Sequence, residues 1–233
     1  MKKIYFLLLS FSLSLAMNAQ PVISSGTLTG THNAVIYGQW EGFKNNAKAA
    51  ISAGTNLNLA SGYSSYSLNG MYTAPGSNSL TLVYNKTTDV LTATIKTRTT
   101  TFTSVSSKIV GTGKTCHLNY LEITIGDEKD QDIFLNNVVV EGKSLGSFQY
   151  TGGSDKKWNI TNIDLSAGFT LTATLVLSNG NYGNGDKSFV NIEVGETSAF
   201  KTMQLTSACE SSAATVSLTG LIPGRSYTAS YKI

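Results

Sequence analysis

The residues with chemical potential are thinly spread. The two histidines, His32 and His117, each stand alone. Zinc needs clustered imidazole or thiolate ligands, and neither His-x-x-x-His nor Cys-x-x-Cys spacing occurs. No strand-to-helix nucleophile elbow is expected. A glycosidase needs two carboxylates facing one cleft. The chain has 14 acidic residues, but none forms an alternating acidic strand. The densest acidic run is Asp127-Glu128-Lys129-Asp130-Gln131-Asp132. Calcium takes several hard oxygen ligands, so Asp127, Asp130 and Asp132 are the candidate calcium ligands. The opposing reading is a solvated hairpin tip, which Lys129 and the absence of an internal glycine favour. Calcium is the one cofactor the sequence suggests.

Aromatic residues are the second signal. Flat amphipathic rings stack on sugar C–H groups while their polar tips bond hydroxyls. Trp40, Tyr63, Tyr66 and Tyr72 are the candidate ligand-binding residues, with Tyr37, Tyr150, Trp158 and Tyr182 as further aromatics. Tyr63, Tyr66 and Tyr72 share a Gly/Ser-rich stretch of the kind that carries binding loops. Trp158, beside Ile160, reads as core. Thr92, Thr94, Thr97, Thr99, Thr100, Thr101 and Thr103 form a threonine-rich run. Its plain explanation is the preference of β-branched residues for strands.

The elements that must position these residues are strands. Ser79–Tyr84 and Val90–Thr97 alternate apolar and polar residues around a polar turn, predicting a hairpin. Further strands are expected at 116–125, 132–140, 169–178 and 188–194, with a dense turn at Asn179–Asp186. One short surface helix is expected over Gly42–Ser52, from its alanines and lysines. The predicted fold is an all-β antiparallel sandwich, Ig-like or jelly-roll-like.

Composition narrows the function. The chain has 17 Lys and Arg against 14 acids, with only 13% charged residues. Met1-Lys2-Lys3, the apolar run from Ile4 to about Met17, and the small Ala19 read as a secretory signal over residues 1–19. The run is too short for a bilayer span, which needs roughly 20 residues. Without Lys2 and Lys3 the mature chain carries 15 cations against 14 anions, so a nucleic-acid partner is not expected. In an exported chain Cys116 and Cys209 are expected to pair, the alternative being two buried thiols. The bridge would contribute about 4–5 kcal/mol in the chain-entropy account. Residues 20–197 read as the main sandwich and 198–233 as C-terminal strands packed on it or forming a partial unit.

Two resemblances add to this. Leu221, Pro223, Gly224 and Tyr227 are similar to the E–F corner of fibronectin type III modules, where a tyrosine hydroxyl satisfies backbone groups. That family continues into a final strand, whereas this sequence stops at Ile233. The pattern over residues 79–195, including Asp164–Leu175 and Val190–Gly195, resembles the choice-of-anchor sandwich domains of exported bacterial proteins. That resemblance implies export and a sandwich fold.

The expected function is a secreted, non-enzymatic adhesion or interaction module. Its partner would be an extracellular glycan or a surface or matrix protein. Carbohydrate binding through loop aromatics is the alternative, and a polysaccharide hydrolase the third reading. Self-association is also expected to be open to it, with Val22–Leu28 as a donated strand at an edge left by the absent last strand.

Overall fold

The computed structural model describes residues 20–26, 32–44, 47–54, 64–67, 72–110, 117–183, 187–197, 202–206 and 215–219. The chain opens with β1 (Val22–Ser25), β2 (His32–Glu41), β3 (Lys48–Ala53) and β4 (Ser64–Ser67). A meander follows: β5 (Gly76–Asn85), β6 (Val90–Ile95) and β7 (Arg98–Thr103), closed by the helix α1 (Val105–Val110). Then come β8 (Tyr120–Asp127), β9 (Ile133–Val140), β10 (Lys143–Tyr150), β11 (Lys156–Thr161), β12 (Phe169–Leu177) and β13 (Ser188–Thr197). Last are β14 (Thr202–Thr206) and β15 (Thr215–Thr219), which pair with each other, Met203 opposite Leu218.

Two antiparallel sheets form the sandwich. One has seven strands in the order β1-β11-β8-β13-β2-β3-β4, the other six in the order β10-β9-β12-β5-β6-β7. β8 pairs with β13 in the first sheet while β9 pairs with β12 in the second. From β4 to β13 the chain crosses between the sheets six times, and the β8–β13 and β9–β12 pairings nest one path on the other in the manner of a jelly roll.

Alternation builds the core. Leu80, Leu82 and Tyr84 of β5 are buried, as are Leu91, Ala93 and Ile95 of β6, and the hairpin pairs as its sequence requires. From the seven-stranded sheet Leu121, Ile123, Ile125, Val190, Ile192 and Val194 meet them. Gly38 leaves room on β2 for the Trp40 indole. A Cβ there would lie 3.1 Å from that ring and 3.3 Å from Leu82 across the sheets. The threonine-rich run is a strand pair, with Thr94 opposite Thr99 and their hydroxyls bonded at 3.1 Å.

The helix expected over Gly42–Ser52 is corrected. Residues 48–53 are β3, paired with β2 from Ile36–Ala53 to Glu41–Lys48. Burying Ala49, Ile51 and Ala53 against the core outweighs the helix preference of the alanines. The helix that does form is α1, which buries Val105 and Ile109 at an i, i+4 spacing. Asp89, from the β5–β6 turn, holds its first turn by accepting the Ser106 N–H and hydroxyl, both at 2.8 Å. Among the described residues no helix is long and apolar enough to cross a membrane.

Candidate functional site

The seven-stranded sheet has a second face, and that face is polar. Residues alternate across a strand, so the register carries one row of side chains from strand to strand. Asn159 of β11 lies opposite Glu122 of β8, Glu122 opposite Glu193 of β13, Glu193 opposite Tyr37 of β2, and Tyr37 opposite Ser52 of β3. The next row runs Lys157, Thr124, Asn191, Gln39 and Ala50. Glu41 and Lys48 continue the face beyond it. These polar groups are largely withdrawn from solvent: Glu122 is 3% exposed, Glu41 4%, Gln39 7% and Tyr37 7%. Asn191 and Glu193, on the central strand, are half-buried.

One side of the face is satisfied internally. Glu122 Oε1 accepts from Lys157 Nζ at 2.9 Å and Thr124 Oγ1 at 3.1 Å, and Oε2 accepts from the Tyr120 hydroxyl at 2.8 Å. Burial pushes the Glu122 carboxyl upward. Lys157, the Tyr120 hydroxyl and Thr124 together outweigh burial and hold it below its ordinary value. The bond to Glu122 in turn raises the Lys157 ammonium, against the effect of burial. Burial, and then the hydrogen bond to Glu122, push the Tyr120 phenol well up. Tyr37 is raised by burial and by the charges of Glu193 and Glu41, while a bond from Asn191 opposes the rise.

The other side is not satisfied. Gln39 Oε1, Glu41 Oε2, Ser52 Oγ and Asn191 Oδ1 are buried with no hydrogen-bond partner among the described residues. Glu41 spends its other oxygen on Lys48, at 2.9 Å. An unpaired buried polar atom costs about 1–3 kcal/mol, so four on neighbouring strands β13, β2 and β3 are an unusual concentration. All four atoms can accept a hydrogen bond. A ligand bearing several hydroxyl or amine donors is their chemical complement.

The residues expected from sequence fall elsewhere. Trp40 points into the core, on the opposite side of the sheet from this polar face, and its Nε1 has no partner there among the described residues. Tyr72 is also in the core, edge-on to Phe43 at 4.9 Å, with its hydroxyl donated to the Lys48 carbonyl. Both are corrected as exposed contacts: the pleat of β2 turns Trp40 to the apolar side, and Tyr72, in the loop before β5, packs into the core against Phe43. Tyr66 lies on β4 opposite Ala49. Tyr63, Cys116 and Cys209 lie outside the described residues, as does the stretch from 220 to 233 with Tyr227. Trp158 packs at the core margin, 5.2 Å from Phe148.

The acidic tip is a brace. Asp127, 5% exposed, accepts the Lys129 and Gln131 N–H groups on Oδ2, both at 3.0 Å. Its Oδ1 accepts the Gly183 N–H at 2.8 Å and the Ser188 hydroxyl. Asp130 accepts the Gly153 N–H at 2.8 Å, and its carboxylate lies 3.1 Å from the Tyr150 hydroxyl. The Asp132 carbonyl accepts from Tyr182 at 3.0 Å. The three aspartates therefore serve three different sets of donors. Among the described residues no three His, Cys, Asp or Glu side chains gather as metal ligands.

Sequence reasoning also passed over Gly142-Lys143-Ser144-Leu145-Gly146, which has Gly-x-Ser-x-Gly spacing. It begins β10 after a tight turn from β9, so Ser144 sits on a strand and not on an elbow leading into a helix. The chain matches no protein-family model and no curated protein.

Proposed function

We propose that the protein is an exported, non-enzymatic adhesion module that binds a carbohydrate on the polar face of its seven-stranded sheet. One observation carries this reading: Gln39 Oε1, Glu41 Oε2, Ser52 Oγ and Asn191 Oδ1 lie on one sheet face, on the adjoining strands β13, β2 and β3, as buried acceptors without a hydrogen-bond partner among the described residues. Sugar hydroxyls are the donors such a set complements, and Tyr37 adds an aromatic body with a polar tip on the same face. Export rests on the leader-like residues 1–19. The test is retention of the purified protein on a panel of insoluble and soluble polysaccharides. The proposal expects retention on one glycan class, weakened about tenfold or more by Asn191→Ala. No retention on any glycan would return the reading to a protein partner.

Hydrolysis is the second reading, favoured by one feature. Glu193 stands directly opposite Glu122 on the same face, the placement of a carboxylate pair. Against it, all of Glu122's bonds hold it ionised and fixed in a buried network. Release of reducing ends that Glu193→Gln abolishes would establish hydrolysis. Binding without release favours the module.

A further inference from the structure

The atoms left without a partner on the polar face differ in what they can do. Gln39 Oε1 and Asn191 Oδ1 are amide oxygens and Glu41 Oε2 is a carboxylate oxygen, so these three only accept. Ser52 Oγ, whose hydroxyl can also donate, belongs to the neighbouring row, opposite Tyr37. The three acceptors are close in register. Asn191 lies directly opposite Gln39, which sets their Cβ atoms about 4.5–5.5 Å apart. Glu41 follows Gln39 two residues along the same face of β2, about 7 Å away. Gln39 and Glu41 are buried, 7% and 4% exposed. Asn191 is half-buried and the Lys48 side chain beside Glu41 is 27% exposed, so solvent reaches the margin of the set.

The charge around these atoms is negative. Glu122 and Glu193 lie opposite each other on this face, and Glu41 lies beyond them. Gly126 of β8 makes room for a fourth acid, since a Cβ there would overlap Asp155 Oδ1. Against these four carboxylates the same rows bring two ammonium groups, Lys157 on Glu122 and Lys48 on Glu41, each at 2.9 Å. Burial, and then the charges of Glu193 and Glu41, push the Tyr37 phenol up, which agrees with a negative potential at the middle of the face.

A sugar hydroxyl brings an acceptor with every donor and needs protein donors in return. An ammonium brings three donors, no acceptor and a positive charge. Three acceptors match it in number, and bonds between charged partners are roughly twice as strong as neutral ones. An acetylated amine keeps a single N–H and no charge. We propose that Glu41, Gln39 and Asn191 seat a primary ammonium, so that the glycan bound on this face is an amino-sugar polymer whose amines are free. This rests on the carbohydrate reading above and names the class of sugar.

The experiment titrates the unsubstituted protein, expressed from the full-length sequence, with three oligomers of one length: glucosamine, fully N-acetylated glucosamine and glucose. Calorimetry should show the glucosamine oligomer binding tighter than either of the others by about tenfold or more. Equal or tighter binding of an uncharged oligomer would overturn the ammonium seat and leave carbohydrate binding standing. Binding of none would overturn both. Glu41→Gln keeps the shape and removes the charge, so the preference for the amine should vanish in that variant while its melting curve still shows a folded protein. Glu141→Gln, in the β9–β10 turn of the other sheet, tests for general attraction to a polycation. It should keep the full preference, and a loss equal to that of Glu41→Gln would overturn the seat. The comparison among the three oligomers needs no substitution, so it decides the proposal even where Glu41→Gln does not fold.

Discussion

Asp127 receives four donors from three chain segments, and an acidic residue so used is a fastener. Asp127→Asn turns an NH2 group toward N–H and O–H donors and should destabilise the fold by about 1–3 kcal/mol, read by chemical denaturation. With both oxygens filled, calcium and chelator should give the same melting temperature. Glu122 makes a different forecast. Its folded-state pKa lies below the unfolded value, so its stabilisation is present above the ordinary carboxylate range near 4 and is lost as pH falls through the folded value. Asp89 follows the same sign. Burial raises it, but the Ser106 N–H and hydroxyl and the Tyr84 hydroxyl bring it below its ordinary value. Tyr150 has the opposite sign. Burial and Asp130 push its phenol up to about 12, so its contribution is present below pH 10 and lost as pH climbs toward 12. A stability profile should therefore fall at both ends. Glu122→Gln should flatten the acid limb, and an acid limb unchanged by it would contradict the assignment. At this scale the sequence reading named plausible residue types and misplaced several. A tyrosine or tryptophan shows its chemistry in the sequence, but which side of the pleat it takes depends on register. Trp40 and Gln39 are neighbours in the chain and lie on opposite faces of the sheet.

β5 and β6 were legible because their alternation is clean and their turn is short, so a one-residue slip would bury threonines and expose leucines. β3 was not, because alanine and lysine give a helix signal that the pairing with β2 overrides. The polar face was illegible for a related reason. Tyr120, Glu122 and Thr124 on β8 alternate visibly with Leu121, Ile123 and Ile125. Nothing local, however, says that Glu193, 71 residues on from Glu122 in the numbering, lies beside them. α1 depends on a turn distant in sequence. Asp89→Ala removes the acceptor for Ser106 and should loosen α1, seen as faster amide exchange at 105–110 with β5–β6 exchange unchanged. Trp40 probes the packing between sheets. Trp40→Ala should cost about 3–5 kcal/mol for the cavity, whereas Trp40→Phe also removes an unpaired buried N–H and should cost much less.

For the molecule as a whole, the sandwich separates its tasks by face. The inner faces carry the apolar core, the acidic tip braces the hairpins at one end, and the other face of the seven-stranded sheet gathers polar groups that no described residue satisfies. Stability alone would replace such groups with apolar or fully bonded ones, so a binding role is the economical explanation. The most direct measurement is the affinity of the Gln39→Ala, Asn191→Ala double variant for whichever glycan the unsubstituted protein retains, taken beside its melting temperature. The account predicts binding reduced at least tenfold with a melting temperature equal or higher, since two unpaired buried oxygens are gone. Unchanged affinity with an intact fold would contradict it.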